Sequence, residues 1–399
     1  MIKIEHPNLS HILRLHTEAC LGYVKPRLDF SIAIFRALSN QGSTPISNSI
    51  KETYGLNLNS VISIMKPFIK KNERKSITID NIKSTISSNQ SSWYITSGKI
   101  RNYKKLYNFL VIVQEDLCEI ITAKPEDIQS IISKNKFNHK GIEKAKEVIE
   151  SIFSYETLTD NGFHLKNGRK WNNYSVTEAL NISVCPYCNR SYVNTVRKGV
   201  YVFKKGKRKG KTRYKVTNPQ LDHYFSKSDY PLFRLSFYNL IPSCETCNAR
   251  LKKAIEFKYD ENLHPYVDGY GKDCRFETSP NDYLSLVGKG INYDLGLNVS
   301  CNVDAKKKKK VEENHKVFEI DTIYKDHLDI VSEIYRKKAI SNDKYMEILI
   351  KQFPSAGLSK AELYRLAFGN YYEEVDFKKR PFAKLTRDTV EQLQLFKLN

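Results

Sequence analysis

The chain has 399 residues, 40% hydrophobic and 27% charged, which are ordinary globular values; they exclude long disorder and leave room for two or three domains. Sixty-five lysines and arginines against forty-four acids leave a net charge of +21, a balance that favours polyanionic partners, nucleic acid first. The longest apolar runs, such as Phe109 to Val113, are too short to span a bilayer, and Met1 to Pro7 lacks the apolar core of a signal peptide. A soluble, cytoplasmic protein with no membrane role is expected.

Residues 1–170 read as a helical accessory or partner-docking domain. Phe30, Ala33, Ile34 and Leu38, then Val61, Ile64, Met65 and Phe68, then Tyr107, Leu110 and Val111 recur at three- and four-residue spacing, and 141–153 repeats the pattern. The Ser- and Asn-rich stretch 87–92 reads as a loop between periodic runs. The texture changes over 171–270, where 192–196 and 200–203 read as short strands and 244–253 as a helix. Region 271–399 is mixed at first, with Lys306 to Lys310 read as a loop, and then helical over 322–338, 342–353, 359–368 and 381–396. Ser359 and Glu362 fit a capping box. The fold expected is α+β, a small core flanked by helical domains.

Four of the eight cysteines form two Cys-x2-Cys pairs, Cys185/Cys188 and Cys244/Cys247. Two such turns supply the soft donors of a closed tetrahedral zinc site, which holds structure and has no open position for chemistry. A redox dithiol would need a thioredoxin-like surround that is missing, and iron–sulfur ligation lacks its usual clustered spacing. Cys20, Cys118, Cys274 and Cys301 are scattered and read as single buried thiols.

Between the pairs lies the dipeptide Asp222-His223, followed by Asn239 and then by Asn248 and Lys252 beside the second cysteine pair. Imidazole is largely neutral near pH 7 and can take a proton from water, and a carboxylate is a hard oxygen ligand for Mg2+ or Mn2+. In a regular strand Asp222 and His223 would face opposite ways, so one site needs a strand end or a bulge. Lys252, four residues past Asn248, shares its helix face and is a candidate phosphate contact.

The run Cys185 to Lys253 resembles the HNH (ββα-metal) endonuclease motif, and is similar to the HNH subunit of Septu-type anti-phage systems, including those attached to retrons. The resemblance implies a β-hairpin followed by a helix, with His223 as general base and Asp222 and Asn248 as ligands of Mg2+ or Mn2+. It implies that Asn239 hydrogen-bonds the backbone presenting His223. It also implies an effector acting on phage or host DNA, with a partner ATPase or a retron reverse transcriptase and its DNA as associates. His264, in Asn262-Leu263-His264-Pro265, is an alternative to Asn248 as ligand.

Between Arg197 and Lys215 stand ten cations with no acid among them: Arg197, Lys198, Lys204, Lys205, Lys207, Arg208, Lys209, Lys211, Arg213 and Lys215. Such a loop offers phosphate contacts that add affinity without reading sequence. Tyr201, Phe203 and Tyr214 interleave with it and suit base stacking or strand packing. Metal-dependent cleavage of DNA is the expected function. A zinc-stabilised binding module, a structural subunit and a nuclease acting on RNA or tRNA are the alternatives.

Overall fold

A computed structural model describes residues 1–39, 53–68, 100–206, 210, 212–217, 219–341, 348, 351 and 357–396. Lys207, Arg208, Lys209 and Lys211, the loop at 87–92 and nearly all of the helix expected over 342–353 lie outside the described residues. The chain divides into two compact units, one of 10–176 with 225–240, the other of 1–9, 177–224 and 241–399.

The first unit is mainly helical. Its longest helix, Leu9–Leu38, buries Ile12, His16, Ala19, Cys20, Val24 and Leu28, the stripe that a 3.6-residue period sends to one side. Helices Ile100–Glu115, Leu117–Thr122, Pro125–Ser133, Ala145–Ile152 and Tyr155–Asp160 follow. Pro125 occupies a first-turn position where its missing N–H costs nothing, and the Ser154 hydroxyl accepts from Thr157 N–H to open the last of these helices. Two short antiparallel strands, β1 (Phe163–His164) and β2 (Lys170–Trp171), come next. The returning segment 225–240 contributes two 3-10 turns, Pro231–Leu235 and Phe237–Asn239. Inside this unit the His16 ring donates from Nε2 to the Leu235 carbonyl (2.7 Å) and accepts at Nδ1 from the Trp171 indole N–H (3.1 Å). That pair of partners fixes a neutral imidazole, and burial lowers its pKa to about 4.

The second unit carries three further small sheets. Strands β3 (Val196–Val202) and β4 (Thr212–Thr217) form an antiparallel ribbon with a register shift between Gly199 and Tyr201. Strand β5 (Gln220–His223) pairs with β6 (Leu240–Ser243), and β7 (Cys274–Pro280) pairs antiparallel with β8 (Tyr293–Val299). Alternation along β7 turns Cys274, Phe276 and Thr278 inward, onto helix Ala383–Gln392. There Asp388 accepts from Phe276 N–H (2.9 Å), and Gln392 Nε2 donates to the Thr278 carbonyl (2.7 Å).

Three expectations fail in this unit. A single strand over Val196–Val202 stands in place of those expected at 192–196 and 200–203, and Cys301, like Cys118 of the other unit, is an exposed thiol rather than a buried one. The lysine run 306–310 is not a loop but the first turns of helix Ala305–Val317, capped by Asp304, whose side chain accepts from Lys307 N–H (2.8 Å). Three of its five charges have partners: Lys306 with Asp260 (2.6 Å), Lys307 with Asp273 (3.0 Å), and Lys310 above the Tyr259 ring (4.3 Å). The result is a mixed α+β fold of small sheets flanked by helices.

Candidate metal centre and the neighbouring Asp-His strand

Cys185, Cys188, Cys244 and Cys247 are all buried, with their sulfurs within 4.8 Å of one another. Four thiolates at about 2.3 Å from a tetrahedral ion stand about 3.8 Å apart. The Cys188 and Cys244 sulfurs are 4.0 Å apart, close to that spacing and far beyond a covalent S–S bond. Each pair sits on a turn that points backbone N–H groups at sulfur: Arg190 N to Cys188 Sγ and Cys247 N to Cys244 Sγ, both 3.4 Å. Asn189, at φ +48°, closes the first turn in the left-handed region that asparagine tolerates. The cluster can coordinate a metal ion. Among the described residues it is the one group of three or more Cys, His, Asp or Glu side chains close enough to do so.

The thiols shift apart. Burial, and then hydrogen bonding to Cys188, pushes Cys185 up, and hydrogen bonding to the other three thiols pushes Cys247 up. Hydrogen bonding from Cys185 holds Cys188 and Cys244 down. Four sulfurs this close and this buried cannot all be charged without a cation among them.

From Cys244 the chain enters the helix expected over 244–253, which is a seven-residue π-helix, Thr246–Lys252. Lys253 N–H closes it onto the Asn248 carbonyl (3.0 Å), with Lys253 at φ +45°. Such wide turns are frequent at functional sites. This helix lies against β5, since Asn248 Nδ2 donates to Gln220 Oε1 at 2.8 Å.

Two residues along β5 from Gln220, Asp222 is buried to 3% exposure, and its neighbour Leu221 is buried too, so the strand breaks simple alternation at its end. His223 is half-buried. Lys252 reaches back from the π-helix, donating from Nζ to Asp222 Oδ1 (3.0 Å) and to the His223 carbonyl (2.7 Å). Its ammonium is therefore buried at Asp222 rather than presented to solvent. The other carboxylate oxygen, Oδ2, accepts from the Tyr187 hydroxyl at 2.7 Å. Burial, followed by the nearby Asp222 charge, pushes the Tyr187 phenol well above its usual range, so it stays protonated and donates.

Of the other predicted residues, Asn239 belongs to the helical unit, fully buried, with its amide bonded to Phe225 N–H (2.7 Å), the Phe225 carbonyl (3.1 Å) and the Phe233 carbonyl (2.9 Å). Phe225 is two residues along the chain from His223. His264 is fully buried against Tyr224 (ring centroids 4.2 Å), with Nδ1 accepting from Tyr266 N–H. Lys198, Lys204 and Lys205 are exposed on or just past β3, as are Tyr201 and Val202, and Arg213 lies in β4. Sequence reasoning misses Tyr187 and Gln220. Tyr187 is in plain view inside Cys185-Pro-Tyr-Cys188, but nothing local names its partner thirty-five residues away.

Comparison of the chain with family models, with curated proteins and with solved structures finds no match.

Proposed function

We propose that the chain is an HNH-type endonuclease that hydrolyses phosphodiester bonds of DNA, with structural zinc on the four cysteines. The observation that carries this reading is the junction made by Lys252, whose one ammonium binds both the Asp222 carboxylate and the His223 carbonyl from a helix that also bears Asn248. General base, hard oxygen donors and cysteine cluster thus belong to adjoining elements.

A carboxylate oxygen can accept two hydrogen bonds, and each oxygen of Asp222 is engaged by one donor. Asp222, through the second acceptor direction on each oxygen, and Asn248, through its amide oxygen, would be the residues to hold Mg2+ or Mn2+, because both offer hard oxygen donors. Such an ion would supply Lewis-acid charge to the phosphate and to the leaving oxygen. The chain's own contribution is to hold Asp222 in one orientation, fix the His223 backbone through Lys252, and offer the imidazole to take a proton from water. Asn239 anchors the chain two residues further on by gripping Phe225 at both its N–H and its carbonyl. Exposed cations on the β3–β4 ribbon supply phosphate contacts. The likeness to Septu-type effectors makes a partner ATPase the associate to seek, with phage or host DNA as the target and RNA as the alternative substrate.

One observation favours a second reading. The Asp222 charge already has a cation beside it, as it would in a nucleic-acid-binding module that does not cut. Digestion of plasmid and phage DNA with and without Mg2+ separates the two. The wild-type chain cleaves only with the ion, and His223→Ala loses about 10²–10⁴ in rate while still binding DNA. Cleavage by His223→Ala at the wild-type rate would remove the assignment.

A further inference from the structure

We infer that the cysteine-bound metal and the Asp222 carboxylate are energetically coupled, because each cysteine pair sends one side chain to one oxygen of that carboxylate. Tyr187 and Lys252 are the positioning residues. The inference rests on the reading of the four cysteines as an occupied zinc site and of Asp222 as a ligand for the second ion.

The first arm is short. Tyr187 stands between Cys185 and Cys188, so the turn that presents those sulfurs also fixes its ring. That ring is buried, stacked on Phe318 (centroids 4.5 Å, 22° between planes), and its hydroxyl meets Oδ2 at 2.7 Å. The second arm runs from Cys244 and Cys247 through the π-helix to Lys252, whose Nζ meets Oδ1 at 3.0 Å. Phe257 touches both arms, edge-on to Tyr187 and 4.8 Å from the Lys252 ammonium.

A carboxylate held at both oxygens by donors from two separate turns cannot rotate without breaking one of the bonds. What keeps the two turns in fixed relation is the ion that their four sulfurs share. Loss of that ion frees the turns to part, and Asp222 then loses its orientation. Linkage makes the effect reciprocal between the two ions: the factor by which the cysteine-bound metal tightens an ion at Asp222 is the factor by which that ion tightens the metal on the cysteines. Coupling of this kind is worth about 5- to 150-fold in affinity.

The test uses the full chain loaded with zinc. Zinc affinity is measured by chelator competition for wild type, Tyr187→Phe, Asp222→Asn and, as a control on the same helix, Arg250→Gln, whose side chain is exposed and paired with Glu245. Both substitutions at the Tyr187–Asp222 bond weaken zinc by about tenfold, and the control does not. Mn2+ binding is then followed by titration in zinc-replete protein, where Tyr187→Phe binds about tenfold more weakly than wild type. Unchanged zinc affinity in both variants would overturn the coupling. Weakened zinc with unchanged Mn2+ affinity in zinc-replete Tyr187→Phe would reject the positioning role, since a merely structural tyrosine predicts that result. A wild-type chain that takes up no Mn2+ and cuts no DNA defeats the nuclease reading instead, and the zinc affinities alone then decide the coupling.

Discussion

The two units bury polar groups in opposite ways. Among its described residues the helical unit keeps its interior mostly neutral: His16, Ser31, Ser236 and Asn239 are buried and uncharged, and Arg234 is an exception that reaches Glu156 at 2.8 Å. The sheet-bearing unit buries ions outright, among them Asp222 with Lys252, and Lys384 and Arg387 with Asp388. A neutral interior group costs only its hydrogen bonds, whereas a buried ion must be matched by another or it destabilises the fold. Ions are retained where their geometry matters, and the candidate chemistry lies in the unit that retains them.

The largest test of this contrast is Asp388→Asn. Asp388 is fully buried and stands against two cations, Lys384 Nζ and Arg387 Nε. Burial raises the Asp388 pKa and lowers that of Lys384, in each case as the leading cause, so neither group would stay charged there alone. Neutralising the acid leaves the Lys384 ammonium without its carboxylate and Arg387 with Glu374 alone (2.9 Å), and denaturant unfolding is expected to show a loss of about 3–5 kcal/mol. A loss below about 1 kcal/mol would mean that the interior of this unit is no more ionic in its energetics than the other.

The matching test in the helical unit is pH. His16 titrates near 4 in the fold because burial disfavours its charged form, against about 6.5 when unfolded. Between those values the unfolded chain holds a proton that the folded chain does not. Stability from this residue is therefore complete above about pH 6.5 and falls progressively toward pH 4, by roughly 3 kcal/mol in all. Thermal or denaturant unfolding across that window, beside His16→Gln, should show the slope in wild type and its disappearance in the variant. A slope that survives the substitution would place the pH sensitivity elsewhere.

What can be read from the sequence follows from range. Paired cysteines and the Asp-His step declare themselves because their ligand or motif logic is local, and the capping box at Ser359 and Glu362 forms as spaced. The partners of the charges do not. Asp222 meets residues thirty and thirty-five positions away, and Lys306 and Lys307 meet acids forty-six and thirty-four positions away. A run of five lysines therefore reads as a solvated loop, although Asp304 caps it into a helix and distant carboxylates neutralise two of its charges. Lys252 misleads for the same reason. Its position suggests a phosphate, but its ammonium is turned inward and almost fully covered.

The smallest expected effect sharpens the same distinction between paired and unpaired charge. Lys204 and Lys205 are exposed just past the end of β3, within a stretch of sequence that holds no acid, while Lys306 and Lys307 are the same residue type already bound to Asp260 and Asp273. The double change Lys204→Gln with Lys205→Gln removes as much net charge as Lys306→Gln with Lys307→Gln. If the ribbon binds phosphates, the first pair alone lowers the slope of log affinity against log salt, by about 0.9 for each phosphate no longer neutralised on duplex DNA. Binding measured by fluorescence anisotropy across a salt series reads this directly. Equal slopes for the two double variants would show that net charge draws the nucleic acid in, and the ribbon would lose its claim as the interface.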